Sequence, residues 1–554
     1  MSGERTMGEA RTGTDSGAEA EAGAKARARR RGTGRSAGSS RRRIGLAAVA
    51  LAAGAALALS GCAPLIELAR DFASRATDRE PSANFERFDA QTPNWSDCGD
   101  GMECAQVFAP LDWNEPEGER ITLAMIRQPA LSGSSQGSLF VNPGGPGASG
   151  VDYARYAVDG GIGESVQQSF DIVSWDPRGT GASSPVTCLD GAAMDEFLFS
   201  LGEGQDLERG SDEWIALAAE ESAAFGEACL EATGPLLGHV DTMSTVKDLD
   251  MLRAIVGDER LNYLGYSYGT YIGARYADAY PDRVGRLVLD GATDPTASEA
   301  DVVREQTLGF EAALRAYVAD CLTRENCMFA GETVDEAMAQ IGALIDQVDQ
   351  QPIEASDGRM LGTDTMLTAI ITPLYSQVNW PYLDDLFAEV ANGEAETAFI
   401  LADFYYDRVD GVYQTNLMEA FLSINCLDYP RGAELDIERM RAQAAELDAI
   451  APTIGRFQGY GDTFCAEWPF PGVESRDAVR AAGADPIMVV GTTGDPATPY
   501  RWAVSLADQL ESGVLVTYHG EGHTAYGEHP CVNAAVDEYF LTGAVPASDP
   551  NCAA

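Results

Sequence analysis

The stretch Leu261-Asn262-Tyr263-Leu264-Gly265-Tyr266-Ser267-Tyr268-Gly269 decides how the rest of the chain is read. Leu261–Tyr266 is an apolar run of strand length, and Tyr271–Tyr280 beyond it repeats apolar residues at helical spacing. A serine between two such elements, with a glycine two residues away on each side, predicts a sharp strand-to-helix turn. Such a turn forces the serine into a strained backbone region, and the glycines let neighbouring elements approach closely. The hydroxyl then projects above the sheet, at the positive end of the following helix. An incidental serine in a glycine-rich turn would look the same locally, so the flanking chain carries the weight.

Working outward, Val284–Asp290 reads as the next strand and Thr245–Val256 as the preceding helix. Ser138–Asn142 is an apolar run that breaks into Pro143-Gly144-Gly145-Pro146-Gly147, and Phe170–Trp175 ends in Asp176-Pro177-Arg178-Gly179. Ala105–Pro110 and Ile121–Gln128 look like early strands, Pro486–Gly491 and Val514–His519 like late ones. Strands separated by helices predict an α/β fold with a mainly parallel sheet covered on both faces. Between 296 and 480 the pattern turns helical, in Glu305–Leu322, Val334–Val348, Asp364–Tyr375, Tyr382–Ala391 and Glu394–Tyr406. That segment is expected to be a helical cap inserted between late strands, over the strand ends where open α/β sheets carry their sites. The core is therefore expected in two parts, 91–295 and 481–554.

A serine hydroxyl needs a base to act as a nucleophile. The chain has four histidines, His239, His519, His523 and His529. With the partners ordered serine, acid, histidine, His239 comes too early. His523, in Glu521-Gly522-His523-Thr524 after the last strand, is the expected base. The expected acid is Asp495, in Thr492-Thr493-Gly494-Asp495-Pro496 after the preceding strand, where a carboxylate would hold the histidine tautomer. Asp290, ending the earlier strand, competes for that role. An oxyanion would need two backbone donors: the N–H of Tyr268 and one from the glycine-rich loop, Gly145 first and Gly144 next. A phosphate cradle is disfavoured there, because no Lys-Ser/Thr pair follows. Four scattered histidines offer no ligand cluster, so no metal or other cofactor is implied.

The N-terminus points to export. Residues 1–43 hold almost no large apolar side chains; Arg41-Arg42-Arg43 then precedes a short apolar run, Ile44–Leu59, ending in Leu59-Ser60-Gly61-Cys62. A basic region, a short apolar region and small residues describe a secretory signal over 1–61. The ending resembles a bacterial lipobox, which would make Cys62 a lipid-bearing residue followed by a tether over 62–90. Ser40-Arg41-Arg42 leaves a twin-Arg route open beside the general one.

The other cysteines agree with that compartment. Of 11 in the chain, ten remain beside Cys62: Cys98, Cys104, Cys188, Cys229, Cys321, Cys327, Cys426, Cys465, Cys531 and Cys552. None forms the C-x-x-C pair of a zinc or redox site, and sequential pairing into five bridges is the expectation in an oxidising compartment. Formal net charge is −48, and the signal region is itself net basic, so the remainder is more acidic still. Such a surface repels nucleic acid and anionic headgroups. The expected localisation is thus a lipoprotein on the outer side of the cell membrane.

Asn142-Pro143-Gly144-Gly145-Pro146-Gly147, Trp175-Asp176-Pro177-Arg178-Gly179-Thr180-Gly181 and Gly265-Tyr266-Ser267-Tyr268-Gly269 resemble the secreted actinobacterial tripeptidyl aminopeptidases. These are relatives of proline iminopeptidase within the α/β-hydrolases. Gly494-Asp495-Pro496-Ala497-Thr498-Pro499 and Gly522-His523 are similar to the C-terminal segment of that group, so the resemblance spans residues 90–552. It implies an α/β-hydrolase fold and release of short peptides from free N-termini through an acyl-enzyme on Ser267. Proline iminopeptidases usually show His-Gly-Gly-Pro-Gly and a tryptophan after the nucleophile; Asn142-Pro143 and Tyr268 move this chain toward the tripeptidyl branch. Esterases also occur in the wider family. Carboxylates in the cap would be natural partners for a substrate ammonium group, and Asp428 and Glu467, each beside a cysteine, are the residues expected there.

Overall fold

The computed structural model describes residues 88–554, apart from 203, 205, 206, 432–434, 474 and 554. The signal region, the lipobox with Cys62 and the tether up to residue 87 lie outside the described residues. Among the described residues no helix is long and apolar enough to cross a membrane.

The central sheet has ten strands: β1 (Ser96–Asp97), β2 (Glu103–Pro110), β3 (Arg120–Gln128), β4 (Ser138–Asn142), β5 (Asp171–Trp175), β6 (Leu261–Tyr266), β7 (Val284–Asp290), β8 (Ile487–Gly494), β9 (Gly513–Glu521) and β10 (Cys552–Ala553). Their spatial order is β1-β2-β3-β5-β4-β6-β7-β8-β9-β10. β1, β2, β3 and β5 pair antiparallel, and every pairing from β5 through β4 to β10 is parallel.

Successive strand residues point to opposite faces, and both faces are covered. In β4, Phe140 joins one core while Leu139 and Val141 join the other; in β8, Val489 and Met488 divide the same way. That is why these strands read as unbroken apolar runs. Each fully buried Leu, Val, Ile or Phe contributes roughly 1.5–3 kcal/mol. On one face α4 (Thr242–Ile255) packs with α5 (Tyr268–Ala279), so Leu249 and Ile272 share a core with Tyr263.

The segment expected as the cap is helical. Its helices are α6 (Glu299–Cys321), α7 (Val334–Gln350), α8 (Thr363–Leu374), α9 (Pro381–Ala391), α10 (Glu396–Tyr405), α11 (Leu417–Asp428) and α12 (Ile437–Ile450). An earlier segment joins them, α2 (Gly191–Phe199) and α3 (Asp212–Thr233). Phe199 meets Phe399 and Tyr406, Asp195 takes both ends of the Arg408 fork at 2.9 Å, and Phe225 lies against Trp468. Residues 191–233 thus touch the helical segment 296–480. At the other boundary, Phe88, expected in the tether, is buried edge-on against Trp113. Five disulfides join Cys98–Cys104, Cys188–Cys229, Cys321–Cys327, Cys426–Cys465 and Cys531–Cys552.

Candidate active site

Ser267 stands between β6 and α5 with φ 54° and ψ −125°, a region that non-glycine residues rarely adopt. Three contacts hold it there. Its N–H donates to the Asp290 carbonyl at 3.0 Å, its carbonyl accepts from the Thr270 N–H at 2.8 Å, and the Thr270 hydroxyl donates to that carbonyl at 2.6 Å.

The glycine-rich loop after β4 lies on this turn. Gly144 has φ 91°, and a Cβ there would come within 2.5 Å of the Tyr266 carbonyl, 2.9 Å of the Tyr268 nitrogen and 3.1 Å of the Ser267 Cβ. Only glycine fits so close an approach. Gly144 donates its own N–H to the Asn142 side-chain oxygen at 3.0 Å. That takes up the second-choice oxyanion donor. Gly145 has no acceptor for its N–H among the described residues. On its far side the loop touches the cap, since a Cβ on Gly147 would meet the Leu417 carbonyl and Phe421 nitrogen of α11.

Asp495 and His523 are both buried, and Nδ1 of His523 lies 2.9 Å from each Asp495 oxygen. The acid is held by the Ala497 N–H at 3.0 Å, the Thr498 N–H at 2.8 Å and the Thr498 hydroxyl at 2.9 Å. The Thr498 oxygen also stands 3.2 Å from Nδ1. The other ring nitrogen, Nε2, is buried with no hydrogen-bond partner among the described residues. The base and the nucleophile turn meet through Gly291, which follows the carbonyl that holds Ser267; a Cβ on Gly291 would lie 3.2 Å from the His523 Cε1. From the cap, the Tyr375 carbonyl accepts the His523 N–H at 2.8 Å, and its ring stands edge-on to the imidazole, centroids 5.5 Å apart.

The remaining expectations fare differently. Asp290, the competing acid, is fully buried and bonds the Ala525 and Tyr526 N–H groups; the Nδ1 of His523 belongs to Asp495. Asp428 is buried at the end of α11, where it accepts from the Thr242 N–H at 2.9 Å and the Thr242 hydroxyl at 2.6 Å, with the Tyr268 hydroxyl 3.4 Å away. Burial pushes it up to about 7. Glu467 is exposed, and no bond ties it to Ser267, Asp495 or His523 among the described residues. The pairing of cysteine with acid in sequence said nothing about which way each side chain faces. His519 sits near Asn551, and His529 stacks on Tyr518 and caps the final helix, α14 (Pro530–Thr542), away from this cluster. His529, Cys531 and Cys552 lie together, but the two sulfurs are bonded to each other and offer no thiolate to a metal.

Sequence reasoning missed the Thr498 hydroxyl and the Tyr375 strut. Thr498 lies inside the motif that gave Asp495, so the signal was present. Tyr375 is joined to His523 only in the folded chain, by a main-chain hydrogen bond and an edge-on ring contact.

Residues 451–552 match the family model described as TAP-like protein. The chain is 34% identical over 521 residues to serine protease Hip1 of Mycobacterium tuberculosis, covering 90% of this chain and 95% of that one. It is also 34% identical over 458 residues to carboxylesterase B of M. tuberculosis, covering 81% and 86%. Against the tripeptidyl aminopeptidase of Streptomyces coelicolor it is 28% identical over 474 residues, covering 83% and 86%. With an α/β-hydrolase sheet, a serine at the strand-to-helix turn and relatives matched along most of their length, the chain belongs to the tripeptidyl aminopeptidase-like family of serine α/β-hydrolases.

Proposed function

We propose that this protein is an exported serine exopeptidase that releases short peptides, tripeptides foremost, from free N-termini. The observation that carries the reading is the buried Asp495–His523 pair, reached through Asp290-Gly291 from a serine held at positive φ under a glycine loop. In this mechanism Nε2 of His523 takes the proton from the Ser267 hydroxyl as its oxygen attacks the scissile carbonyl. The N–H groups of Gly145 and Tyr268 receive the oxyanion. The imidazolium, steadied by Asp495, returns its proton to the departing amine, and an acyl-enzyme remains. Water, deprotonated by the same histidine, then releases the peptide and restores Ser267.

Five disulfides support assembly in an oxidising compartment. The reading includes a signal over 1–61, lipid on Cys62 and a tether beyond it. An esterase reading is the second one, favoured by the relative named carboxylesterase B. Asp428, buried at the end of α11, and Glu467, exposed, are the expected partners of the ammonium group.

One experiment separates these readings. Membrane and soluble fractions of cells making the full chain, its Ser267→Ala form and its Cys62→Ser form are given a tripeptide anilide, its N-acetylated twin and a short acyl ester. The expected result is cleavage of the free-amine anilide in the membrane fraction, lost with Ser267→Ala and moved to the soluble fraction with Cys62→Ser. Turnover of the ester alone makes the protein an esterase. Equal cleavage of the acetylated twin removes ammonium recognition.

A further inference from the structure

Asp290 is a buried carboxylate that the mechanism above does not use. It ends β7, paired with Tyr266 of the nucleophile strand on one side and Val490 of the acid strand on the other. Its main-chain carbonyl holds the Ser267 N–H at 3.0 Å. Its side chain takes the Ala525 N–H at 3.0 Å and the Tyr526 N–H at 2.7 Å, both on Oδ2, with Oδ1 3.2 Å from the Ala525 nitrogen. The loop that carries His523 therefore rests on two carboxylates. Asp495 takes the ring and the Thr524 N–H at 3.2 Å; Asp290 takes the next two N–H groups. Gly291 closes the contact, because a Cβ there would be 2.9 Å from Thr524 and 3.2 Å from the His523 ring.

We propose that Asp290 is a second positioning carboxylate, tying the Ser267 turn to the 523–526 loop and so fixing the angle at which His523 meets the nucleophile. This rests on the serine-hydrolase reading of Ser267 and His523. The logic is one of donors and acceptors. Two N–H groups converge on one side chain, and an ionised carboxylate can accept both. Protonation, or replacement by an amide, puts a donor where an acceptor was. The loop then shifts, and a displacement of the order of an ångström at a catalytic group costs about 10²-fold in rate.

The surroundings give this a pH dependence. Burial pushes Asp290 up to about 7, and the charge on Asp495 adds to the rise. The other titratable groups facing it are Tyr266 on β6, Tyr153 on α1 (Gly150–Tyr156) and His523 past Gly291. With a folded value above the unfolded one of about 3.9, the fold favours the protonated form. This group's contribution to stability is full at acid pH and declines as pH rises from about 4 through about 7. Positioning runs the other way and improves as the carboxylate ionises.

The test is kcat between pH 5 and 8.5, per active site counted by fluorophosphonate titration for wild type and Asp290→Asn, and per mole of protein for Ser267→Ala, with Tm measured on each. Asp290→Asn is expected to lose about 10-fold to 100-fold in kcat per titrated site, with KM nearly unchanged. Its acid limb of kcat should be shallower than the wild type's, and its Tm should vary less between pH 5 and 8. If its kcat per titrated site equals wild type, so that only Tm or the titratable fraction falls, Asp290 is structural and the proposal is overturned. Activity retained in Ser267→Ala would instead overturn the underlying reading. Should Asp290→Asn not fold, Asp290→Glu carries the same measurement. It keeps both acceptors a methylene further out, and unchanged kcat and pH profile there would equally overturn the proposal.

Discussion

At Asp495 a single carboxylate accepts from Ala497, Thr498 and Thr524 as well as from the imidazole of His523. Those extra bonds fix the carboxylate plane, so the histidine has one tautomer and one orientation available. Asp495→Asn would leave this frame nearly isosteric yet present an amide to Nδ1. Turnover should fall roughly 10⁴-fold, with KM and thermal midpoint little changed; a loss under tenfold would remove Asp495 from the catalytic role. At this scale the sequence was most informative where chemistry and chain position coincide. Ser267, Asp495 and His523 each follow a strand, and the order of the three is a covalent fact. Asp428 shows the opposite case. Its burial against Thr242 depends on how α11 seats on α4, and a neighbouring cysteine carries no information about that.

Among the elements, α11 links the cap to the core. The Asn416 side chain, just before it, accepts from the Gly181 N–H and donates to the Gly179 and Val186 carbonyls, each at 2.8 Å. Glu419 accepts the Cys188 and Leu189 N–H groups, and the helix wall touches Gly147 of the glycine loop. This cap helix is thereby a wall of the active site. Below it, Arg178 is completely buried, with both arms of its fork on Asp248 at 2.7 Å and further bonds to the Leu111, His239 and Pro110 carbonyls. Trp113 donates to the same carboxylate at 2.9 Å. Truncating the guanidinium strands a buried charge, so Arg178→Met should lower stability by about 3–5 kcal/mol, read from the denaturant midpoint with disulfides intact. A change under 1 kcal/mol would mean that the network is not holding the loop after β5. The strands were legible because burial on both faces leaves an unbroken apolar run. The packing of α2 against the later helices was not, since contacts such as Phe199–Phe399 and Asp195–Arg408 join residues some two hundred positions apart.

For the whole molecule, the fold class was readable from alternation of strand and helix, and the contacts between 191–233 and the later helices were not. The chain carries 86 Asp and Glu against 38 Lys and Arg, yet individual buried acids do the local structural work. Asp176, pushed up to about 6 by burial, accepts from the Ser149 hydroxyl and the Val151 N–H beyond the glycine loop. Asp290 accepts the Tyr526 N–H of the 523–526 loop in the same way. The proposed function rests on one oxygen, that of Ser267. The most direct measurement is peptide mapping of the protein after reaction with a fluorophosphonate, on wild type and Ser267→Ala. The expected result is a single adduct on Ser267 that accompanies complete loss of hydrolysis, with neither labelling nor turnover in Ser267→Ala. An adduct on another residue, or hydrolysis surviving in Ser267→Ala, would contradict the assignment of Ser267 as nucleophile.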